Sequence, residues 1–169
     1  MNLDTIVWLT GLPSSGKSTL AQEVARLLRS AGRENVVVLD SDEVRHALRP
    51  EPGYDTAARD AFYETLARLA ALLAAQGQLV LVPATAHRRA FRDRARALAP
   101  GRFVEVFVDT PEAECRRRDA KGLYARADRE ANATLPGAGV AFEAPTAPTL
   151  VIHPDDVDAG ARIAALLAV

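Results

Sequence analysis

The chain has 169 residues, 49% of them hydrophobic, and its 21 basic and 22 acidic side chains leave a formal net charge of -1. A chain of this length buries one good core, so we expect a single domain over residues 1–169. The balanced charge disfavours a nucleic-acid or membrane partner and favours a small molecule, while a lone cysteine and no apolar leader at the N-terminus suit a cytoplasmic protein.

Five short apolar runs predict buried parallel strands, because each is too short for a helix of its own. They are Ile6–Leu9, Val36–Leu39, Leu79–Val82, Phe103–Val108 and Leu150–Ile152. Stretches with helical spacing alternate with these runs: Thr19–Ala31, Ala57–Gln76, Arg88–Leu98, Pro111–Arg118 and Asp156–Leu167. The alternation predicts an α/β fold with three layers, α/β/α, around a five-stranded parallel sheet.

The segment after the first strand predicts a phosphate-binding loop. It satisfies G-x-x-x-x-G-K-[ST] between a strand and a helix, the context that this motif requires. The predicted ATP-binding residues are Gly11, Leu12, Pro13, Ser14, Ser15, Gly16, Lys17, Ser18 and Thr19. We expect Lys17 to reach the β- and γ-phosphates and the Ser18 hydroxyl to ligate Mg²⁺, which makes ATP and Mg²⁺ the predicted cofactors.

Two carboxylates, Asp40 and Asp42, follow the second strand at the end where parallel sheets bind their ligands. One carboxylate there can hold magnesium through water, and another can accept the proton of an attacking hydroxyl. We predict that Asp42 is catalytic and a magnesium carboxylate. The competing interpretation is that Ser41 or Asp42 only caps the next helix.

Several boundaries have local causes. Gly32 and Gly77 suit helix C-termini, and Thr110 followed by Pro111 predicts a capped helix start with proline at its first position. Proline and glycine gather between Lys121 and Pro148, which predicts a mobile lid over residues 121–148, or an inert surface loop.

The basic run from Arg88 to Arg96 is typical of a solvated helix face, although Arg89 or Arg92 can still turn inward. One of the three arginines Arg116–Arg118 is a candidate contact for ATP. The three histidines are too dispersed for a metal site, and Cys115 fits a small core residue.

At this point five segments, in order and at family spacing, resemble adenylylsulfate (APS) kinase. They are the phosphate loop, Leu39-Asp-Ser-Asp-Glu-Val-Arg-His46, Phe103-Val-Glu-Val-Phe-Val-Asp-Thr-Pro111, Arg118-Asp-Ala-Lys-Gly-Leu-Tyr124 and Phe142-Glu-Ala-Pro145. The resemblance spans nearly the whole chain. It implies a P-loop kinase that transfers the ATP γ-phosphate to the 3′-hydroxyl of adenylylsulfate, giving PAPS for sulfate assimilation, as a homodimer whose lid closes over both nucleotides.

The resemblance also implies residue roles. Asp42 matches the catalytic aspartate, and Lys121 matches the lid lysine, while family spacing favours Arg118 as the ATP contact. The catalytic residues expected on this basis are Lys17, Asp42 and Lys121. Arg45 and Arg59 match the arginines that hold the acceptor. The acceptor-binding residues implied in this way are Asp40, Arg45, Tyr54, Arg59, Phe62 and Leu135.

The chain departs from the family in its acceptor half. Phe62 replaces an asparagine, and Thr85-Ala86-His87-Arg88 stands where the family has Ile-Ser-Pro-Tyr. In the lid, Asn132-Ala-Thr-Leu-Pro-Gly137 replaces Ile-Lys-Asn-Phe-Thr-Gly, which removes a lysine and a stacking phenylalanine. A kinase for another small hydroxyl compound and a non-catalytic nucleotide-binding module therefore remain alternatives.

Overall fold

The computed structural model describes residues 4–130 and 133–168. Asn132, one of the departing lid positions, lies outside the described residues, as do the first three residues of the chain. The elements in chain order are β1 (Thr5–Thr10), α1 (Lys17–Ser30), β2 (Val36–Val38), α2 (Ser41–Ala47), α3 (Thr56–Ala75), β3 (Leu79–Pro83), α4 (Arg89–Leu98), β4 (Arg102–Val108), α5 (Glu112–Arg118), α6 (Leu123–Ala127), β5 (Leu135–Pro136), β6 (Gly139–Val140), β7 (Leu150–Ile152) and α7 (Ala159–Leu167).

Five strands form one parallel sheet in the order β2-β3-β1-β4-β7. The predicted fold class is confirmed. β1 lies between β3 and β4, and all six of its residues are buried. The loop after β1 therefore leaves from the middle of the sheet edge, where neighbouring strand ends can surround it.

Helices cover both faces of the sheet, because alternate strand residues point to opposite sides. On one face, Val7 and Leu9 pack with buried residues of α1 and α7. On the other face, Ile6 and Trp8 pack with α2, α3 and α4. Within the described residues, no helix is both long and apolar enough to cross a membrane.

The two predicted glycine helix ends are confirmed. Gly32 (φ 87°) follows the end of α1, and the Arg33 amide donates to the Leu28 carbonyl at 3.0 Å. Gly77 (φ 80°) follows α3 with the equivalent bond from Gln78 to Leu73. Both bonds close Schellman turns, which need a left-handed residue at this position.

The predicted helix start at Thr110 and Pro111 is wrong. α5 begins at Glu112, with Pro111 in the preceding N-cap position. The Thr110 hydroxyl instead donates to the Ser15 carbonyl at 3.0 Å, across 95 residues of chain. The hydroxyl thus satisfies a buried carbonyl of the phosphate loop rather than the amides of its own helix.

Candidate active site

A cavity of about 790 Å³ lies at the carboxyl ends of β1, β2 and β3. Its wall includes the loop after β1, the start of α2, one side of α3, the segment after β3 and residues of the predicted lid. Parallel sheets bind ligands at this edge because side chains from several strand ends converge there.

The phosphate loop depends on its two glycines. A Cβ on Gly11 would lie 2.5 Å from the Val108 carbonyl oxygen, so only glycine lets the loop pass this close to β4. Gly16 has a φ of 100° and ends the loop at the first turn of α1. Within the described part of the chain no side chain caps that turn. The amides at the start of α1, with the positive end of the helix dipole, are thus available to bind phosphate oxygens.

Lys17 lies over this loop with its ammonium group turned inward. Nζ donates to the carbonyls of Gly11 at 3.0 Å and Leu12 at 2.6 Å, and to the Ser15 hydroxyl at 3.4 Å. Burial lowers the pKa of Lys17 to about 8, and the negative charge of Asp42 opposes this shift. A compact ammonium held by neutral carbonyls can exchange them for phosphate oxygens, which are stronger acceptors.

Ser18 and Asp40 form a pair beside the loop. The Ser18 hydroxyl donates to Asp40 Oδ2 at 2.5 Å, and Asp40 Oδ1 accepts from the Asp42 amide at 2.9 Å. Asp40 is therefore the N-cap of α2, and the interpretation that Ser41 or Asp42 caps this helix is wrong. Asp40 is buried against Ser18 and outside the cavity wall, so its contacts favour a role beside Ser18 over the acceptor contact expected from the sequence.

Asp42 points away from the cap and into the cavity. Its side chain is 55% exposed, and its Oδ2 accepts a hydrogen bond from the Lys121 ammonium, which reaches it from the predicted lid. This bond raises the pKa of Lys121 above its ordinary value. The structure thus joins two predicted catalytic residues that lie 79 residues apart.

Arg45 is held on three sides. Its Nη1 donates to the carbonyls of Pro52 at 3.0 Å and Gly53 at 2.9 Å. The guanidinium carbon lies 3.9 Å from the ring centre of Phe62 and 4.4 Å from that of Tyr54. Phe62, which stands where the family has an asparagine, therefore packs against the guanidinium of Arg45. The same guanidinium covers one face of the Tyr54 ring.

Arg59 links α3 to the lid, because its Nη2 donates to the Thr134 carbonyl at 2.5 Å. Burial lowers the pKa of Arg59 from its usual high value. Leu135 and Ala133 line the cavity next to this bond. All six predicted acceptor residues except Asp40 thus share the cavity wall.

The beginning of the lid is attached to the phosphate loop. The Tyr124 hydroxyl donates to the Pro13 carbonyl at 3.0 Å, and the Asp119 carboxylate accepts from the amides of Tyr124 and Ala125. Arg118 Nη1 lies 3.4 Å from the Ser15 carbonyl.

The other two arginines of that run bind carboxylates of their own surroundings. Arg116 pairs with Glu112 and Asp128, and Arg117 pairs with Glu114. Arg118 also pairs with Glu114, at 2.8 Å, but of the three arginines it alone lies in the cavity wall, and this position favours Arg118 as the residue beside ATP.

Several residues of the cavity wall were not assigned to the site from the sequence, among them Tyr63, Thr85 and His87. The Thr85 carbonyl accepts from the Thr10 hydroxyl at 2.7 Å, and the Tyr63 hydroxyl accepts from the Ala86 amide at 3.0 Å. Both bonds fix the segment after β3 against the site. One sequence feature could have assigned this segment to the site: Thr85 and His87 follow the third apolar run, at the end of a predicted strand.

The basic run of α4 divides as expected. Arg88 and Arg89 are exposed, whereas Arg92 is only 1% exposed and pairs with the buried Glu105 at 3.0 Å. Cys115 is buried, as predicted, and among the described residues no group of three or more histidine, cysteine or acidic side chains could hold a metal.

Known proteins are similar to this chain in both amino-acid sequence and three-dimensional structure. Residues 3–153 match the adenylylsulphate kinase family. An adenylyl-sulfate kinase of Shewanella denitrificans is 40% identical over 164 residues, which are 96% of this chain and 80% of that protein. The bifunctional enzyme NodQ of Azospirillum brasilense is 42% identical over 157 residues, but these are only 25% of its length.

Among solved structures, the Mycobacterium tuberculosis APS kinase CysC in complex with AMPPNP and APS superposes with a TM-score of 0.89. It is 38% identical in sequence, and the alignment covers 98% of both chains. The likeness therefore includes the lid and the acceptor side as well as the phosphate loop.

Proposed function

The chain belongs to the adenylylsulphate kinase family, and we infer from this membership that it transfers the γ-phosphate of ATP to the 3′-hydroxyl of adenylylsulfate, giving PAPS and ADP. The observation that carries the inference is a single cavity lined by Lys17, Asp42 and Lys121 on one side and Arg45 and Arg59 on the other. A phosphoryl donor and an anionic acceptor can meet there.

The roles follow from the contacts. The amides of the phosphate loop and Lys17 hold the β- and γ-phosphates of ATP, and Arg118 lies beside the nucleotide. The acceptor hydroxyl oxygen forms a bond to the γ-phosphorus while the bond to the β–γ bridging oxygen breaks. Asp42 accepts the hydroxyl proton, and Lys121 holds the Asp42 carboxylate in place and balances charge on the transferring group.

Magnesium fits the donor set at Ser18. A hydroxyl and a carboxylate oxygen 2.5 Å apart are the hard oxygen groups that this ion prefers. When bound with ATP, the ion neutralises charge on the phosphates. We propose that Ser18 ligates it directly and that Asp40 holds one of its waters, while Asp42, which is paired with Lys121, acts mainly as the base.

A kinase for another small hydroxyl compound is the second candidate. It is favoured by Ala133 and Leu135, which replace the lysine and the aromatic ring of the family lid.

The homodimer and the cytoplasmic location remain predictions. Size-exclusion chromatography with light scattering tests the first, since a homodimer should give about twice the mass of the 18.1 kDa chain.

The deciding experiment is ADP release with ATP, magnesium and one acceptor at a time: adenylylsulfate, gluconate, shikimate, a nucleoside or an amino sugar. We expect kcat/KM to be highest for adenylylsulfate, with PAPS identified by mass spectrometry. Turnover of another acceptor but not adenylylsulfate would establish the second candidate, and ADP release that no acceptor stimulates would favour the nucleotide-binding module.

A further inference from the structure

His87 is a buried imidazole in the wall of the acceptor half of the cavity. The residue is 6% exposed and lies among the wall residues near Arg59 and Tyr63. Its ring packs edge-on against Phe91 with ring centres 5.4 Å apart, and its carbonyl accepts from the Glu143 amide at 2.7 Å. Ring packing and a backbone bond fix the position of this side chain.

One nitrogen of the imidazole is buried without a hydrogen-bond partner among the residues that the structure describes. Nδ1 is enclosed without one in the described part of the chain, and Trp8 contributes the only other such side-chain atom there. Buried polar atoms are nearly always paired, so each exception calls for an explanation. Because Nδ1 is enclosed and the ring lines the cavity, Nε2 is the nitrogen that a bound molecule can reach.

The surroundings determine which nitrogen carries the proton. Burial, together with the positive charges of Arg59, Arg88 and Arg92, lowers the pKa of His87 to about 4, so the ring is neutral near pH 7 and has one N–H and one lone pair. Enclosed N–H groups without a partner are rarer than enclosed acceptors without one. The lone pair therefore belongs on Nδ1 and the proton on Nε2, facing the cavity.

We propose that His87 is an acceptor-binding residue, and that its Nε2–H donates a hydrogen bond to an anionic oxygen of the acceptor bound at Arg59. The proposal rests on the proposed function, because it needs an anionic acceptor such as the phosphosulfate group of adenylylsulfate. It assigns a role to a position at which the chain departs from the family's Ile-Ser-Pro-Tyr segment. A neutral donor would add binding at a site that lacks the lid lysine.

Two substitutions separate the donor from the packing of the ring. His87→Phe keeps a ring against Phe91 but has no N–H, whereas His87→Gln can place an amide N–H near the position of Nε2. His153→Gln, at an exposed histidine, is the matched control. The dissociation constant of adenylylsulfate is measured calorimetrically with ADP and magnesium at saturation, beside KM for ATP and the thermal midpoint.

A hydrogen bond to a charged group corresponds to a weakening of about ten- to a hundredfold when lost. We expect His87→Phe to weaken adenylylsulfate by about this factor with KM for ATP unchanged, and His87→Gln to recover most of it. Equal affinity in the wild type and His87→Phe would overturn the proposal, and so would an equal loss in both variants.

A second measurement covers a variant that does not fold. In wild-type protein with ¹⁵N-labelled histidine, adenylylsulfate should shift the Nε2 signal of His87 and leave that of His153, outside the cavity wall, in place, and an unchanged Nε2 signal would count against the bond. If the wild type neither turns over nor binds adenylylsulfate, the proposed function fails first. If it turns over adenylylsulfate but His87 is silent in both tests, only the role of His87 fails.

Discussion

At the scale of single residues, the chain uses lysine only where its geometry is needed. Only two of the 21 basic residues are lysine, Lys17 and Lys121, and the structure places both in the same cavity. Lys17 is enclosed by two carbonyls and a hydroxyl, a space shaped for a point-like ammonium. Lys121 ends on a single carboxylate oxygen. Several arginines elsewhere pair with carboxylates, as Arg92 does with Glu105 and Arg116 with Glu112 and Asp128.

The first prediction concerns Lys17. Lys17→Ala should abolish phosphoryl transfer, because the γ-phosphate loses its cation, and Lys17→Arg should fail as well, because the loop has no room for a planar guanidinium. The measurement is ADP release with adenylylsulfate, beside a thermal melt. Both variants should melt close to the wild type, and full turnover by either would contradict the assignment.

Asp42→Asn is the second prediction. The change removes the charge and keeps the shape, and it leaves the cap of α2 intact because Asp40 makes that bond. We expect turnover to fall at least about a hundredfold, with a much smaller change in ATP affinity.

The comparison variant Asp40→Ala removes both the cap of α2 and the acceptor of the Ser18 hydroxyl. It should therefore lower the free energy of unfolding by about 1 kcal/mol as well as activity. Near-normal turnover in Asp42→Asn would remove the base from the mechanism.

At the scale of secondary-structure elements, the strands of the main sheet could be predicted from the sequence, but the helix and strands inside the lid segment could not. Buried parallel strands are continuous apolar runs, and for this reason the predicted bounds of β1 and β3 agree with the structure to within one residue at each end. The short helix α6 and the β5–β6 pair lie inside the segment predicted only as a mobile lid. Their structure depends on distant contacts, such as Tyr124 with Pro13, that no local pattern encodes. The mobility of the lid segment remains a prediction.

The lid gives the third prediction. Ala133 and Leu135 line the cavity where the resembling family has a lysine and a phenylalanine. The missing ring corresponds to about 0.5–1.5 kcal/mol, and the missing charged hydrogen bond to about 1.5–3 kcal/mol. The double variant Ala133→Lys with Leu135→Phe should therefore bind adenylylsulfate about ten- to a thousandfold more tightly, if the two terms add.

Calorimetric titration into protein saturated with ADP and magnesium measures this gain. Lysine at exposed Thr146, beyond the cavity wall, is the control for added charge alone. Tight binding by the natural sequence with no gain in the double variant would mean that Ala133 and Leu135 do not face the acceptor.

At the scale of the whole molecule, the site is assembled by the order of the strands. Because β1 lies between β3 and β4, the end of β1 contacts Thr85, 75 residues from Thr10, and the phosphate loop contacts Thr110, 95 residues from Ser15. Motif and resemblance predicted a set of site residues, and the structure brings most of them to one cavity wall. They did not predict that Asp40 turns to Ser18 while Asp42 turns to Lys121, because that choice depends on hydrogen bonds between separate elements.

The last prediction links His87 to the stability of the whole fold. Its pKa is about 4 in the folded chain, against an ordinary value of 6.5 expected when the chain is unfolded. Between these values the unfolded state binds more protons than the folded state, so the free energy of unfolding must fall as the pH falls. Above about pH 7 the residue contributes no slope, because it is neutral in both states.

The groups that face His87 are Arg59 from α3, Arg88 and Arg92 at α4, and Glu143 from the lid. Of these only Glu143 titrates near this range, and its pKa lies below its ordinary value. Subtracting His87→Gln from the wild type at each pH isolates the imidazole, because glutamine does not titrate. The measurement is chemical denaturation of both proteins at pH 7.5, 6, 5 and 4.5. Below about pH 6.5 the free energy of unfolding of the wild type should fall relative to that of His87→Gln by about 1 kcal/mol per pH unit, towards a limit of about 3 kcal/mol. A difference that stays constant across this range would mean that His87 titrates like an exposed histidine, and that its ring is not enclosed in the cavity wall.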